Sequence, residues 1–334
     1  MSRTVFYEVT PTERPTLEAL MKGEQALYTD KLLTRETAAL AAGAAVVSVF
    51  IVSQVNAGVL GALPDVKLIA TRSTGYDHID LNACRSRNVV VANVPSYGSN
   101  TVAEHTFGLI LALSRRIAVT FQRVRLGEFS REGLCGFDLR GKTLGVIGTG
   151  RIGSHVIRIG KAFGMNVIAH DGHPDERLSA AMDFGYVPLD DLLTRSHVVS
   201  LHCPYTPESH HLINEKSLAR MQKGTLLINT ARGGLVDTRA LLGALRSGHL
   251  GGAGLDVLEE EKSIFEEREV LADSYDREKL ELLVQNHALL KLPNVIITPH
   301  NAFNSEEALH RILETTVSNI HACLAGTPVN VVTG

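Results

Sequence analysis

Along the chain, short runs rich in Val, Ile and Leu alternate with longer stretches in which apolar residues recur at helical spacing. Uninterrupted apolar runs between turn residues fit strands buried on both faces, and their alternation with helical segments predicts βαβ units around parallel sheets. Two such series are present. The first has strand-like runs at residues 4–9, 44–51, 66–73 and 88–95 and reads as a small α/β domain. The second has six, at residues 143–148, 166–170, 197–202, 225–229, 252–257 and 294–298, enough for a dinucleotide-binding sheet. Between them, TVAEHTFGLILALSRRI (residues 101–117) predicts one long helix crossing from one domain to the next. Thr101 and Glu104 have capping-box spacing, and Arg115 and Arg116 are expected in the last turn. From about residue 301 the chain reads as helical until GTPVN and is expected to return to the first domain.

Composition narrows the class. With 334 residues, 44% of them apolar, and a formal net charge of −3, the chain is long enough for two ordinary cores and reads as soluble and globular. Charges of both signs are interspersed, so a nucleic-acid partner is not expected. The start, MSRTVFYEVTPTERP, is neither a secretory signal nor an Arg-rich leader, and no apolar stretch approaches the roughly 18 residues of a spanning helix, so no membrane partner is expected either. Cys84, Cys135, Cys203 and Cys323 lie far apart without a CxxC pair. That spacing predicts free thiols in a reducing compartment, no structural zinc and a cytoplasmic location.

The segment GVIGTGRIG places Gly148, Gly150 and Gly153 in G-x-G-x-x-G spacing, after an apolar strand and before a helical pattern. The first glycine permits a tight turn, the second lets backbone approach a pyrophosphate, and the third lets helix and strand pack closely. Phosphates would sit at the N-terminus of the helix that begins near Arg151. The next strand ends in Asp171, where a carboxylate would accept the ribose hydroxyls of NAD. A 2′-phosphate beside it would cost about 1 to 4 kcal/mol, so NAD is expected over NADP, with Arg177 nearby as the residue that leaves room for both.

Ligands of an open α/β sheet bind beyond the carboxyl ends of its strands. Those ends are Gly148, Asp171, the group His202-Cys203-Pro204, Arg232, Asp256 and His300. Arg232 stands in NTARGGLVD with Ala231 and Gly233 beside it; this bare backbone is expected to leave room for an anion facing its planar fork. His300 follows NVIITP, where Pro299 constrains the exit from the strand, and imidazole titrates in the range useful to acid and base chemistry alike. His202 is its rival by position. His210 and His211 read as exposed loop, no histidines have metal-site spacing, and Glu259, Glu260 and Glu261 cannot all serve one site.

Taken together, TRSTGYDHID, VPSYGSNTVAEHT, GVIGTGRIG, INTARGGLVD, GAGLDVLEEE and NVIITPHNAF resemble the NAD-dependent D-isomer-specific 2-hydroxyacid dehydrogenases, especially their D-lactate dehydrogenase branch, over nearly the whole chain. The resemblance implies catalytic roles for Arg232, Glu261 and His300, a substrate-carboxylate loop at Ser73, Thr74 and Gly75, and the branch's tyrosine at Tyr97. It implies cofactor contacts at Arg151, Ile152, Asp171, Cys203, Pro204, Thr230, Ala231 and Asp256, beside the glycines of the turn. The expected fold is α/β in two domains: a Rossmann NAD-binding domain with a parallel sheet (residues 101–300) and a smaller flavodoxin-like α/β substrate domain (residues 1–100 with 301–334). The implied reaction is reversible hydride transfer between nicotinamide and the C2 carbon of a 2-oxo acid by a homodimer.

The long segment after Glu261 resembles the D-lactate branch, and Tyr97 with Phe303 is expected to wall a small apolar pocket around a methyl group, which points to pyruvate. Asn301 and Gly234 depart from the branch's usual residues and bear on substrate preference. The competing expectations are a different 2-oxo acid, such as hydroxypyruvate, glyoxylate or phenylpyruvate, and an NAD-sensing corepressor-like binding protein.

Overall fold

The computed structural model describes residues 3–260 and 277–332. The chain divides into two compact units, Met1–Gly98 with Asn304–Gly334, and Ser99–Phe303. Both are parallel α/β sheets with helices, and both owe this to the same sequence habit of apolar runs separated by helical segments.

In the first unit, β1 (Arg3–Phe6), β2 (Ala26–Tyr28), β3 (Ala44–Val49), β4 (Leu68–Thr71) and β5 (Val90–Ala92) lie in the order β2-β1-β3-β4-β5, every pair parallel. This is the doubly wound order of flavodoxin-like sheets. β1, β3, β4 and β5 are the four runs the pattern predicts; β2 is an addition. Its three residues are all half-buried, too few to show a period, and its register is set by pairing with β1, where Thr4, Val5 and Phe6 face Ala26, Leu27 and Tyr28. The helix Glu306–Leu324 also belongs to this unit, burying Ile312, Leu313, Val317 and Ile320. Ser305 caps it by accepting from the Ala308 amide, with Glu306 and Glu307 in the first turn. Beyond it, Val331 bridges Ala92 in antiparallel fashion and the Val332 amide donates to Val91 at 2.9 Å, which covers the β5 edge.

In the second unit, β6 (Thr143–Ile147), β7 (Asn166–His170), β8 (Gly185–Tyr186), β9 (Val198–Leu201), β10 (Leu226–Asn229), β11 (Gly252–Leu255) and β12 (Val295–Ile297) form one parallel sheet in the order β12-β11-β10-β9-β6-β7-β8. The order reverses between β6 and β9, which makes the ends of these two strands the switch point where an open sheet binds its ligand. Six strands match the predicted runs; β8, of two residues, is a seventh.

The helix Ser99–Ser114 belongs wholly to this unit and begins earlier and ends earlier than the pattern predicts. Thr101 is therefore a buried residue of the first turn and not a cap, and Arg115 and Arg116 lie past the end, where Arg116 adopts φ 53°. Burial of the helix's apolar face, Phe107, Leu109 and Ile110, sets its extent more than its end signals do. Among the described residues, no helix is long and apolar enough to cross a membrane, and no group of three or more His, Cys, Asp or Glu side chains is placed to hold a metal ion.

Candidate active site

The turn after β6 is shaped by its glycines. Gly148 has φ 93°, and a Cβ there would lie 2.5 Å from the Cys203 nitrogen, so the turn presses directly on the end of β9. A Cβ on Gly153 would lie 2.0 Å from the Gly148 oxygen, so the helix Arg151–Ala162 can approach the turn only with glycine there. Gly150, by contrast, has nothing within 4 Å of its missing Cβ, and as N-cap it offers no side chain to the first amides of the helix. The result is open space over uncapped N–H groups, a setting for phosphate. Arg151 is exposed and Ile152 half-buried on the first turn.

Asp171 follows β7 beside this turn. The Thr149 amide (2.7 Å) and hydroxyl (2.9 Å) donate to its Oδ2, and the His173 amide donates to its Oδ1 (2.9 Å). Burial works against the charge, but these hydrogen bonds outweigh it and hold the carboxyl below its ordinary range. Thr149 is a residue that pattern reading passed over; as the unnamed second position of the fingerprint it carried no signal. Bare turn, uncapped helix and ionised acceptor together fit a dinucleotide.

At the end of β9, burial pushes His202 down to about 3, so its ring is neutral at any physiological pH. Its Nε2 lies 2.8 Å from the Ser200 hydroxyl, while its buried Nδ1 meets no hydrogen-bond partner among the described residues. A ring that stays neutral has no imidazolium proton to deliver, which removes His202 as the rival of His300. Cys203 beside it is pushed up to about 11 by burial, and Pro204 is exposed.

The loop after β10 carries Arg232 in extended backbone, φ −143° and ψ 140°. Buried Asn229 pins it from both sides: its Oδ1 accepts from the Ala231 amide at 3.0 Å and its Nδ2 donates to the Arg232 carbonyl at 2.9 Å. Asn229 was also passed over, although a polar amide closing an otherwise apolar strand is a legible clue. Thr230 is buried and meets the Thr106 hydroxyl at 3.0 Å. The expectation that bare backbone here leaves room for a ligand is corrected. A Cβ on Gly233 would lie 2.1 Å from the Leu258 carbonyl, and one on Gly234 would lie 2.7 Å from the Tyr205 ring. These glycines admit neighbouring chain.

Glu259 is one of those neighbours. Its carboxylate accepts from the Thr238 amide and hydroxyl and meets His211 Nε2 at 2.6 Å. His211 is therefore half-buried and hydrogen-bonded to this carboxylate and not free loop, while His210 is exposed and stacks on it. Glu260 is exposed with φ 50°, and Glu261 lies outside the described residues.

Asp256, only 1% exposed, follows β11 and organises the turn after β12. Its Oδ1 accepts from the Thr298 hydroxyl and from the Asn301 amide (2.7 Å), and its Oδ2 accepts from the Ala302 amide (2.9 Å). His300 stands between these anchors with φ 50°, and its amide donates to the carbonyls of Asp256 and Thr298, both at 2.9 Å. A left-handed histidine costs on the order of 1 to 3 kcal/mol, a strain sustained only where surrounding contacts over-determine it.

In the first unit, Ser73, Thr74 and Gly75 follow β4. Three successive carbonyls are tied inward: Ser73 to the Val94 amide (3.0 Å), Thr74 to Asn93 Nδ2 (2.7 Å) and Gly75 to its neighbour's hydroxyl, Ser73 Oγ (2.6 Å). A trans peptide carries its N–H opposite its C=O, so the amides of Thr74, Gly75 and Tyr76 face the other way, into an exposed loop. Successive amides that face the same way can receive an anion. Just before it, fully buried Arg72 donates to the carbonyls of Tyr7 and Glu8, each at 2.8 Å, tying β4 to the end of β1. Tyr97, half-buried, belongs to this unit, with its carbonyl accepting from Arg311 Nε at 2.6 Å; half-buried Phe303 belongs to the other.

Comparison with known proteins shows the family. Residues 107–302 match the family model of the D-isomer specific 2-hydroxyacid dehydrogenase, NAD binding domain. The chain is 42% identical over 309 residues to a 2-hydroxyacid dehydrogenase homolog of Zymomonas mobilis, covering 91% of each. It is 40% identical to a D-lactate dehydrogenase of Escherichia coli (88% of this chain, 87% of the relative) and 39% identical to a glycerate dehydrogenase of Methylorubrum extorquens (83% and 82%). Among solved structures, the pyruvate reductase of Chlamydomonas reinhardtii superposes with a TM-score of 0.88 at 40% identity, covering 98% of each chain. The D-lactate dehydrogenase of Aquifex aeolicus, complexed with NAD and lactic acid, superposes with a TM-score of 0.86 at 37% identity, covering 99% of this chain and 100% of that one. The chain belongs to the D-isomer-specific 2-hydroxyacid dehydrogenase family. It is an NAD-binding oxidoreductase that acts on the CH–OH group of 2-hydroxy acids.

Proposed function

We propose that this chain is a D-lactate dehydrogenase, reducing pyruvate reversibly with NADH. The observation that carries the reading is the run of amides of Thr74, Gly75 and Tyr76, which can receive a small carboxylate, in a chain similar over most of its length to D-lactate dehydrogenases and a pyruvate reductase. In this reading the loop Ser73-Thr74-Gly75 receives the carboxylate through its backbone amides, Tyr97 and Phe303 wall the methyl group, and Arg232 binds the carboxylate and polarises the carbonyl. His300 delivers a proton to the carbonyl oxygen, and Glu261, which lies outside the described residues, is the third member of the catalytic set. Glu259 anchors the loop instead, since His211 and Thr238 already occupy its carboxylate.

The second unit is the NAD-binding domain and the first the substrate domain. Gly148, Gly150, Arg151, Ile152 and Gly153 would hold the pyrophosphate, Asp171 the ribose, and Cys203, Pro204, Thr230, Ala231 and Asp256 the rest of the dinucleotide. NAD, when bound, exchanges the hydride. We also propose a homodimer through the second unit. The helix Ile117–Arg125 buries none of its residues, and Ile117, Phe121, Val124, Leu126 and Phe129 expose an apolar face that a second copy would cover. The four cysteines are free thiols, in keeping with the cytoplasm.

The deciding experiment is NADH oxidation by purified protein with pyruvate, glyoxylate, hydroxypyruvate and phenylpyruvate, repeated with His300→Ala. Fast turnover of pyruvate to the D-isomer, lost in the variant, is expected. Preference for another acid would move the substrate, and NADH binding without any turnover would favour a sensor.

A further inference from the structure

Behind the loop Ser73-Thr74-Gly75 runs a buried polar chain that none of these roles uses. His78, 8% exposed, has Nε2 3.1 Å from the Thr71 hydroxyl; Thr71 Oγ1 lies 2.6 Å from Ser73 Oγ; and Ser73 Oγ donates to the Gly75 carbonyl at 2.6 Å. The last link dictates the direction of every proton before it. A carbonyl oxygen only accepts, so Ser73 commits its one hydroxyl proton to Gly75 and must accept from Thr71. Thr71 has then committed its own proton and must accept from His78. The imidazole therefore carries a proton on Nε2, in the neutral ring and in the charged one alike.

The donating end is held independently of the loop. The Val55 amide donates to the His78 carbonyl and the Asp80 amide to the Val55 carbonyl, both at 2.9 Å, closing the parallel bridge between Val55 and Ile79. Asp80 then caps the helix Leu81–Ser86 by accepting from the Ala83 amide at 2.9 Å. His78 is thus a fixed post from which the relay reaches the loop.

We propose that His78 is a positioning residue for the substrate carboxylate: through Thr71 and Ser73 it holds the Gly75 carbonyl inward and so keeps the Tyr76 amide turned toward the anion. Of the three peptide planes in this run, the first is held by the Val94 amide and the second by Asn93; the third depends on this side-chain relay. The proposal deepens the reading of the loop as the carboxylate site and rests on it.

Steady-state kinetics of Thr71→Val, Thr71→Ser and His78→Phe test it. Thr71→Val keeps the side chain's shape and removes the hydroxyl. KM for pyruvate is expected to rise about tenfold in Thr71→Val and in His78→Phe, the scale of one buried hydrogen bond, with kcat and NADH affinity within about twofold of wild type. Thr71→Ser, which restores the hydroxyl, is expected to return KM to near the wild-type value. A folded Thr71→Val enzyme with unchanged KM, even one that melts at lower temperature, overturns the proposal while the carboxylate site stands. Wild-type protein that turns over no 2-oxo acid overturns the carboxylate site and the proposal with it. Imidazole nitrogen NMR of the wild-type protein needs no variant to fold: His78 protonated on Nε2 supports the relay, and a neutral ring protonated on Nδ1 overturns it.

Discussion

At the ends of β7 and β10 and in the turn after β12, the larger unit sets out ionisable side chains: Asp171, Arg232 and His300. Beyond β4 the smaller unit sets out backbone amides, and its polar side chains, Ser73, Asn93, Thr71 and His78, work from beneath to turn carbonyls away. Both are α/β sheets that gather chemistry at the same end of their strands. The difference is that one unit presents functional groups directly and the other presents peptide planes held in place by side chains that need touch no ligand. Substitution should therefore affect the two units very differently.

The largest contrast sets Arg232→Ala against Thr74→Ala. Loss of the guanidinium is expected to lower kcat/KM by a hundredfold or more, on the order of removing one preorganised donor, whereas Thr74→Ala, whose hydroxyl only reaches the Val94 carbonyl (2.7 Å), is expected to cost less than about fivefold. Equal losses in steady-state assays would erase the distinction between the units.

Next in size is Asp256→Ala, which leaves the Asn301 and Ala302 amides and the Thr298 hydroxyl without their buried acceptor. Urea titration should find the variant about 2 to 3 kcal/mol less stable, the scale of lost hydrogen bonds to a buried charged group. A near-neutral result would mean that the turn holding His300 is fixed by other contacts.

Asp171→Asn sharpens the cofactor side. Removing the charge is expected to narrow the preference for NADH over NADPH by about tenfold or more, because the repulsion toward a 2′-phosphate goes with it. It also has a pH signature. The folded carboxyl sits below its ordinary range, so it stabilises the fold above the unfolded value, about 3.9, and that contribution is lost as pH falls through the folded value. Wild type and variant should therefore differ in melting temperature near neutrality and converge in strong acid.

The smallest expected effect is a test by constancy. Because His202 is pushed down to about 3, His202→Asn should leave the limbs of the pH–rate profile between pH 5 and 8, as an approximate window for imidazole, where they are. A displaced limb would make His202 a titrating participant after all.

Residue order alone determined a good deal here. The apolar runs marked ten of the twelve described strands, because a parallel strand buried on both faces must be apolar throughout. The glycine spacing and the residues at strand ends marked the cofactor turn, Arg232 and His300, because there the chemistry lies in the residue type itself. Family likeness, not spacing, singled out Glu261. Tertiary structure decided what depends on which segments become neighbours. It brought in β2 and β8, which exist only by pairing, and the ends of the helix Ser99–Ser114, set by burial. It showed that Gly233 and Gly234 are small because Leu258 and Tyr205 press against them, that Glu259 is committed to Thr238 and His211, and that burial has silenced His202. The direction of the amides of Thr74, Gly75 and Tyr76 belongs with these. A peptide group is the same in every residue, and only the folded surroundings choose which way it faces.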